Sequence, residues 1–161
     1  MAWSTPKSWT DNVDVLSASN LNIHIRDEFK ALTEWTTYTP TWTATGGTPT
    51  LGNGTLTGRY LTAGDLCHFT MQLTIGSTSS FAGTVSWTFS TPVATQTLGT
   101  IFQWFAYDTS AYVAANGNAP IGGGISTFQC YNIGAAQSIG ASIPFTWATG
   151  DYVVVRGTYE C

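Results

Sequence analysis

The chain has 161 residues, enough for one domain with its own core. Apolar residues make up 43% and aromatics 14%, which excludes a disordered chain, whereas charged residues make up only 9% against roughly 25% in ordinary globular proteins. Five Lys and Arg and a net charge of −4 exclude a duplex nucleic-acid binder, which needs several phosphate contacts, and so thin a surface charge points to a body held among other proteins.

Residues 1–16 have no helical period and carry Trp3, Pro6, Trp9 and Val15. They read as an arm whose large apolar groups, Trp3 and Trp9 above all, dock on a partner or fold back on the body. Lys7 is followed by no apolar core of a secretion signal, and no apolar run is long enough to span a membrane, so synthesis in the cytosol and no membrane partner are expected.

Residues 17–35 read as one amphipathic helix. Ser17 is a fair N-cap. Leu21, Ile25, Phe29 and Leu32 fall at spacings of four, four and three, and Trp35 extends that stripe. Asp27 is placed to meet Lys30 one turn on. Such a helix has to lie on something, its own body or copies of itself. Eight of the fourteen charged side chains fall within residues 1–35, and this break in composition separates two regions. Residues 1–36 are assigned to attachment and oligomerisation, residues 37–161 to a β-sandwich domain.

From residue 36 the period is two. Cys67, Phe69, Met71, Leu73 and Ile75 alternate with polar residues, as do Val85, Trp87 and Phe89. Residues 101–107 are apolar on both faces, which predicts a central strand or one lying under an interface. Ile125–Tyr131 and Tyr152–Tyr159 predict further strands, and Gly157 within the last marks a bulge or a close contact. Turns are expected at Gly46-Gly47, Gly52–Gly54, Gly76–Ser80, Asn116–Pro120, Gly122–Gly124 and Gly150-Asp151. The fold class is mostly β: an antiparallel β-sandwich or jelly-roll-like barrel, preceded by an N-terminal arm and one amphipathic helix. In the stretch Trp42–Tyr60, five glycines bend the sheet and six threonines suit its wet face.

Chemistry is sparse. Three scattered cysteines, Cys67, Cys130 and Cys161, give no disulfide framework. His24 and His68 are the only histidines, and Cys67 and His68 point to opposite faces of a strand, so no metal site or cofactor is expected. Asp65, Asp108 and Asp151 sit at strand ends, where Asp is an ordinary turn residue, and no pattern pairs them with one another or with Glu160 for catalysis. The glycine-rich runs lack the Lys of a phosphate loop. No catalytic residue is assigned, and the chain is expected not to be an enzyme. Trp42, Tyr60, Trp104, Tyr107 and Tyr112 are the candidates for an exposed aromatic surface that binds sugars. The plainer reading of each is core packing or subunit contact.

Trp9, then Leu16, Ser17, Ala18, Leu21, Asn22, Ile25, Arg26 and Asp27, resemble a segment found near the start of tailed-bacteriophage virion proteins, with Ser17 in place of the usual Thr. Tyr38-Thr39-Pro40 with Trp42, Leu51-Gly52-Asn53-Gly54-Thr55, Gly58 with Tyr60, Gly83 with Trp87, and Gly157-Thr158-Tyr159-Glu160 are similar to blocks of the same structural proteins. The resemblance covers roughly residues 9–90 and the last strand. It implies a virion structural protein without an enzymatic site, a homo-oligomer and most often a trimer. Its partners would be the major capsid protein or other virion proteins. Capsid decoration is the first expectation, because 161 residues hold no shaft or long heptad run. A tail-associated fibre or minor tail protein recognising host surface glycans is the alternative.

Overall fold

The computed structural model describes Thr10 and residues 17–95, 98–133 and 137–161. Two antiparallel sheets face one another as a β-sandwich, and one short helical segment precedes them. The strands are β1 (Thr36–Tyr38), β2 (Trp42–Ala44), β3 (Thr55–Ala63), β4 (Leu66–Thr74), β5 (Trp87–Ser90), β6 (Thr100–Asp108), β7 (Val113–Ile121), β8 (Thr127–Gln129), β9 (Tyr131–Asn132) and β10 (Tyr152–Glu160). The large sheet runs β1-β3-β4-β10-β6-β7-β9 and the small one β2-β5-β8. Of the two architectures the sequence allowed, the chain adopts the sandwich.

The strands form where polar and apolar residues alternate, because each large-sheet strand has one face on the core and one in solvent. On β4, Cys67, Phe69, Met71 and Leu73 are buried while Leu66, His68 and Gln72 are exposed. The last strand, β10, lies in the middle of the sheet, paired with β4 on one side and β6 on the other. Its Val153 and Val155 are fully buried. Between the sheets, Phe128 of β8 meets Phe102 at 5.2 Å and Phe69 at 6.1 Å, and within the small sheet its register partner Phe89 of β5 lies 6.1 Å away. Farther along, Trp87 stacks on Trp147 at 5.0 Å and takes Trp42 edge-on at 4.8 Å. Three indole N–H groups find acceptors, Trp87 at Thr84 Oγ1, Trp104 at the Tyr131 carbonyl and Trp147 at the Gly140 carbonyl, each at 2.9 Å, whereas the buried Trp42 Nε1 has none among the described residues.

Several expectations are corrected. The Asn116-Gly117 pair lies inside β7 rather than in a turn: a Cβ at Gly117 would collide with the Trp104 indole and the Tyr131 carbonyl, so this glycine serves close packing. Ile125 lies in the connection before β8 and is exposed, and the predicted strand from Ile125 to Tyr131 is two short strands, β8 and β9, interrupted at Cys130. Val85 precedes β5 and faces solvent although it shares the parity of Trp87. Gly157 is a close contact, since a Cβ there would enter the Phe102 ring. At Gly52–Gly54 the turn forms as expected, with Gly52 at φ +58°. Asn53 there binds a second loop: its Oδ1 accepts from the Thr78 N–H at 2.9 Å and its Nδ2 donates to Ser77 Oγ at 3.0 Å.

Candidate binding and assembly surfaces

The segment before the sheet is helical over residues 18–31, shorter than the predicted span of 17–35. It consists of α1 (Ala18–Leu21), a wide turn (Asn22–Arg26) with i→i+5 bonding, and α2 (Asp27–Ala31). Ser17 caps it as expected: in extended conformation it accepts from the Asn20 N–H at 3.1 Å. The ion pairs differ from expectation. Asp27 meets its neighbour Arg26 at 2.8 Å, and Lys30 reaches Glu34 at 3.6 Å. Both pairs are exposed and contribute little.

Leu21, Ile25, Phe29 and Leu32 are all exposed, Phe29 at 68%. Trp35 lies beyond the helix, at the approach to β1. Its ring meets His68 edge-on at 5.4 Å, and the Arg59 guanidinium sits 4.7 Å above it. It therefore fastens the segment to the outer face of the large sheet and leaves the other four to solvent. The four side chains are 36–68% exposed, so covering what remains of each contributes about 1 kcal/mol, and together they give the segment a tendency to associate. Trp3 and Trp9 fall outside the described residues.

The aromatic set singled out for sugar binding does not come together. Trp104 is 2% exposed and belongs to the core. Trp42 packs between Phe81 and Trp87, and Tyr60 packs edge-on against Tyr38 at 5.9 Å. Tyr112 stands alone on the β6–β7 turn, 80% exposed and at φ +58°, a backbone region that L-residues rarely adopt. Only Tyr107 takes part in an accessible cluster, with partners the sequence did not name. Tyr107 is 5.9 Å from Tyr152 and 6.4 Å from Phe105, and Phe105 is 6.4 Å from Tyr152. Tyr107 and Phe105 share a strand face at spacing two, a legible signal. Tyr152 joins them only because β10 inserts beside β6, which no local pattern announces.

Next to this cluster the outer face is polar. Register places Thr37, Arg59, Thr70, Arg156, Gln103 and Asn118 in one row across six strands. The neighbouring row is Thr57, Gln72, Val154, Phe105 and Asn116. Val154 and Arg156 line two shallow hollows, one of about 420 Å³ toward Gln103, Asn116 and Asn118, the other of about 500 Å³ toward Arg59, Thr70 and Gln72.

The acids of the body serve its turns or lie at strand ends. Asp151, fully buried, accepts from the Thr109 N–H at 2.8 Å, the Thr109 hydroxyl at 3.0 Å and the Ala148 N–H at 2.6 Å. Asp108 Oδ1 accepts from the N–H groups of Ala111 and Ser110 and from the Ser110 hydroxyl. The Ala111 N–H foremost, then the Ser110 hydroxyl, hold its carboxyl below the ordinary value, with burial opposing them. Asp65 and Glu160 lie exposed at strand ends. His68, exposed, shares a 2.8 Å hydrogen bond with Thr158 Oγ1. Burial pushes the Cys67 thiol up to about 11 and raises that of Cys130 as well, so both stay protonated at neutral pH. Among the described residues, no three His, Cys, Asp or Glu side chains gather as a metal centre would require, and no helix is long and apolar enough to cross a membrane.

Compared with known proteins, the chain matches no family, no curated sequence and no solved structure. The fold defines an antiparallel β-sandwich with an exposed helical appendage, and the functional reading rests on its surfaces.

Proposed function

We propose that the chain is a non-enzymatic structural protein of a tailed-bacteriophage virion, assembled as a homo-oligomer, a trimer in the first instance, and displayed on the capsid as a decoration protein. The observation that carries this reading is the helical segment, whose Leu21, Ile25, Phe29 and Leu32 stay in water on a single chain. Exposed apolar side chains gathered on one element are what an assembly contact needs. The body supports the same reading. Asp108 and Asp151 are engaged by turn hydrogen bonds, and His68 is held by Thr158 and Trp35, so each has a structural task. The resemblance of the 9–27 segment and the Leu51–Thr55 block to virion proteins supports a place in the virion, without separating capsid from tail.

The double variant Ile25→Asp/Phe29→Asp tests the reading. In sedimentation the parent chain is expected to run as an oligomer and the variant as a folded monomer, and the variant should lose its place on assembled particles. A parent chain that sediments as a monomer, or a variant that keeps full occupancy, refutes the assembly role. Density for this protein at the tail end of an intact particle refutes decoration.

A further inference from the structure

We propose that the outer face of the large sheet binds a carboxylated oligosaccharide, a chain of sugars carrying uronate groups. Arg156 and Arg59 take its carboxylates, and the Phe105–Tyr107–Tyr152 cluster takes the apolar faces of its rings. The surface lies on the sandwich body, and its Arg59 end adjoins Trp35, over whose ring the Arg59 guanidinium sits.

Charge comes first. The chain is acidic overall, yet the two central rows of this face hold two arginines and no carboxylate. Arg156 is exposed and makes no ion pair or side-chain hydrogen bond among the described residues. Arg59 and Arg156 sit on β3 and β10 with Thr70 between them, two strand spacings or about 10 Å apart along the backbone, and the face of the Arg59 guanidinium rests on Trp35, which leaves its in-plane N–H groups to donate. Such a pair of forked donors suits two carboxylates spaced along one ligand.

Polar chemistry comes second. The side-chain amides of Gln103, Asn116 and Asn118 make no hydrogen bond to another described residue, so donors and acceptors stand free around the first hollow. A ligand rich in hydroxyls and sparing in charge matches that set. The aromatic cluster next to it offers flat apolar surface with phenolic hydroxyls, the amphipathic combination that sugar rings stack on.

Other occupants fit less well. Nucleic acid carries a charge about every 1.7 Å of duplex, far denser than two arginines match. An added peptide strand needs an open edge, whereas here the strands are already paired on both sides. Phosphate groups favour convergent backbone N–H groups, which this face spends in its ladders. The core of a stable contact between copies is more apolar than these rows, where Val154 and Phe105 are the apolar members among Thr, Gln, Asn and Arg.

The test titrates the full chain with tetragalacturonate at low salt by calorimetry, beside its neutral methyl ester and a poly(glycerol phosphate). Binding of the uronate is expected, about tenfold weaker for Arg156→Gln, the loss of one charge-assisted contact, and about a hundredfold weaker for the methyl ester, the loss of both. Arg156→Lys should recover part of it. Gln103→Glu, which places an acid beside Arg156 while leaving the arginine in place, should lose it too. Both sites are exposed, and unchanged melting temperatures check the fold. No binding at millimolar uronate, equal binding to Arg156→Gln, or equal binding of the glycerol phosphate polymer overturns the proposal. A change of oligomeric state in Arg156→Gln without uronate binding to the parent also overturns it and gives the face to a second copy.

Discussion

At the scale of single residues, polar side chains in this protein mostly hold loops. Asp108 illustrates the consequence for pH. Its folded-state pKa lies below the ordinary 3.8, so as pH falls the unfolded chain takes up the proton first. The stability it contributes is therefore complete above the ordinary carboxylate range and is lost as pH drops through its lower folded value. Asp108→Asn keeps an acceptor but not the charge. The variant should be less stable than the parent at neutral pH, and the gap should close in acid, as read by urea midpoints. A gap of equal size at both pH values would sink this account. Glycine identity was legible here and its purpose was not. Gly117 follows Asn116, a strong turn signal, yet the pair is strand, because the space a side chain would need is filled by Trp104 and the Tyr131 carbonyl.

At the scale of elements, periodicity was a sound guide where a strand pairs on both sides. The alternation of 67–75 became β4, and the doubly apolar 101–107 became β6, flanked by β10 and β7 with Phe102, Trp104 and Ala106 inward. It misled where a strand is short. Ile125 and Phe128 lie in one predicted strand, but only Phe128 enters the core, against Phe69, Phe89 and Phe102. Phe128→Ala should cost about 3–5 kcal/mol in urea unfolding. Ile125→Ala, at a site 47% exposed, should stay within about 0.5 kcal/mol. Equal effects would mean that the small sheet is not pinned through this ring. The helix was legible in its Ser17 cap and in its apolar spacing. Its early end was not, since Trp35 is drawn off the stripe by Arg59 and His68 of the sheet.

At the scale of the whole molecule, the sandwich accounts for the low charge in two ways. Much of the outer sheet is coated by Thr, Gln and Asn rather than by ions, and the helical segment leaves Leu21, Ile25, Phe29 and Leu32 exposed. If copies bridge capsid subunits, only the assembled state receives that binding free energy. Particles lacking the protein should then rupture at a lower temperature than complete ones, measured by dye access to the packaged genome on heating. Identical rupture temperatures would contradict decoration.

The sequence by itself determined the class of fold, the alternation that builds the strands, the capped helix and the scarcity of charge. All of these are local or compositional, set by side-chain period and backbone preference. Only the tertiary structure decided which aromatics are core and which are surface, because that depends on strand order. Inserting β10 between β4 and β6 brings Tyr152 beside Phe105 and Tyr107 and sets Arg156 two strands from Arg59. Those partners lie far apart along the chain, and pairing between distant segments leaves no mark on the periodicity of either one.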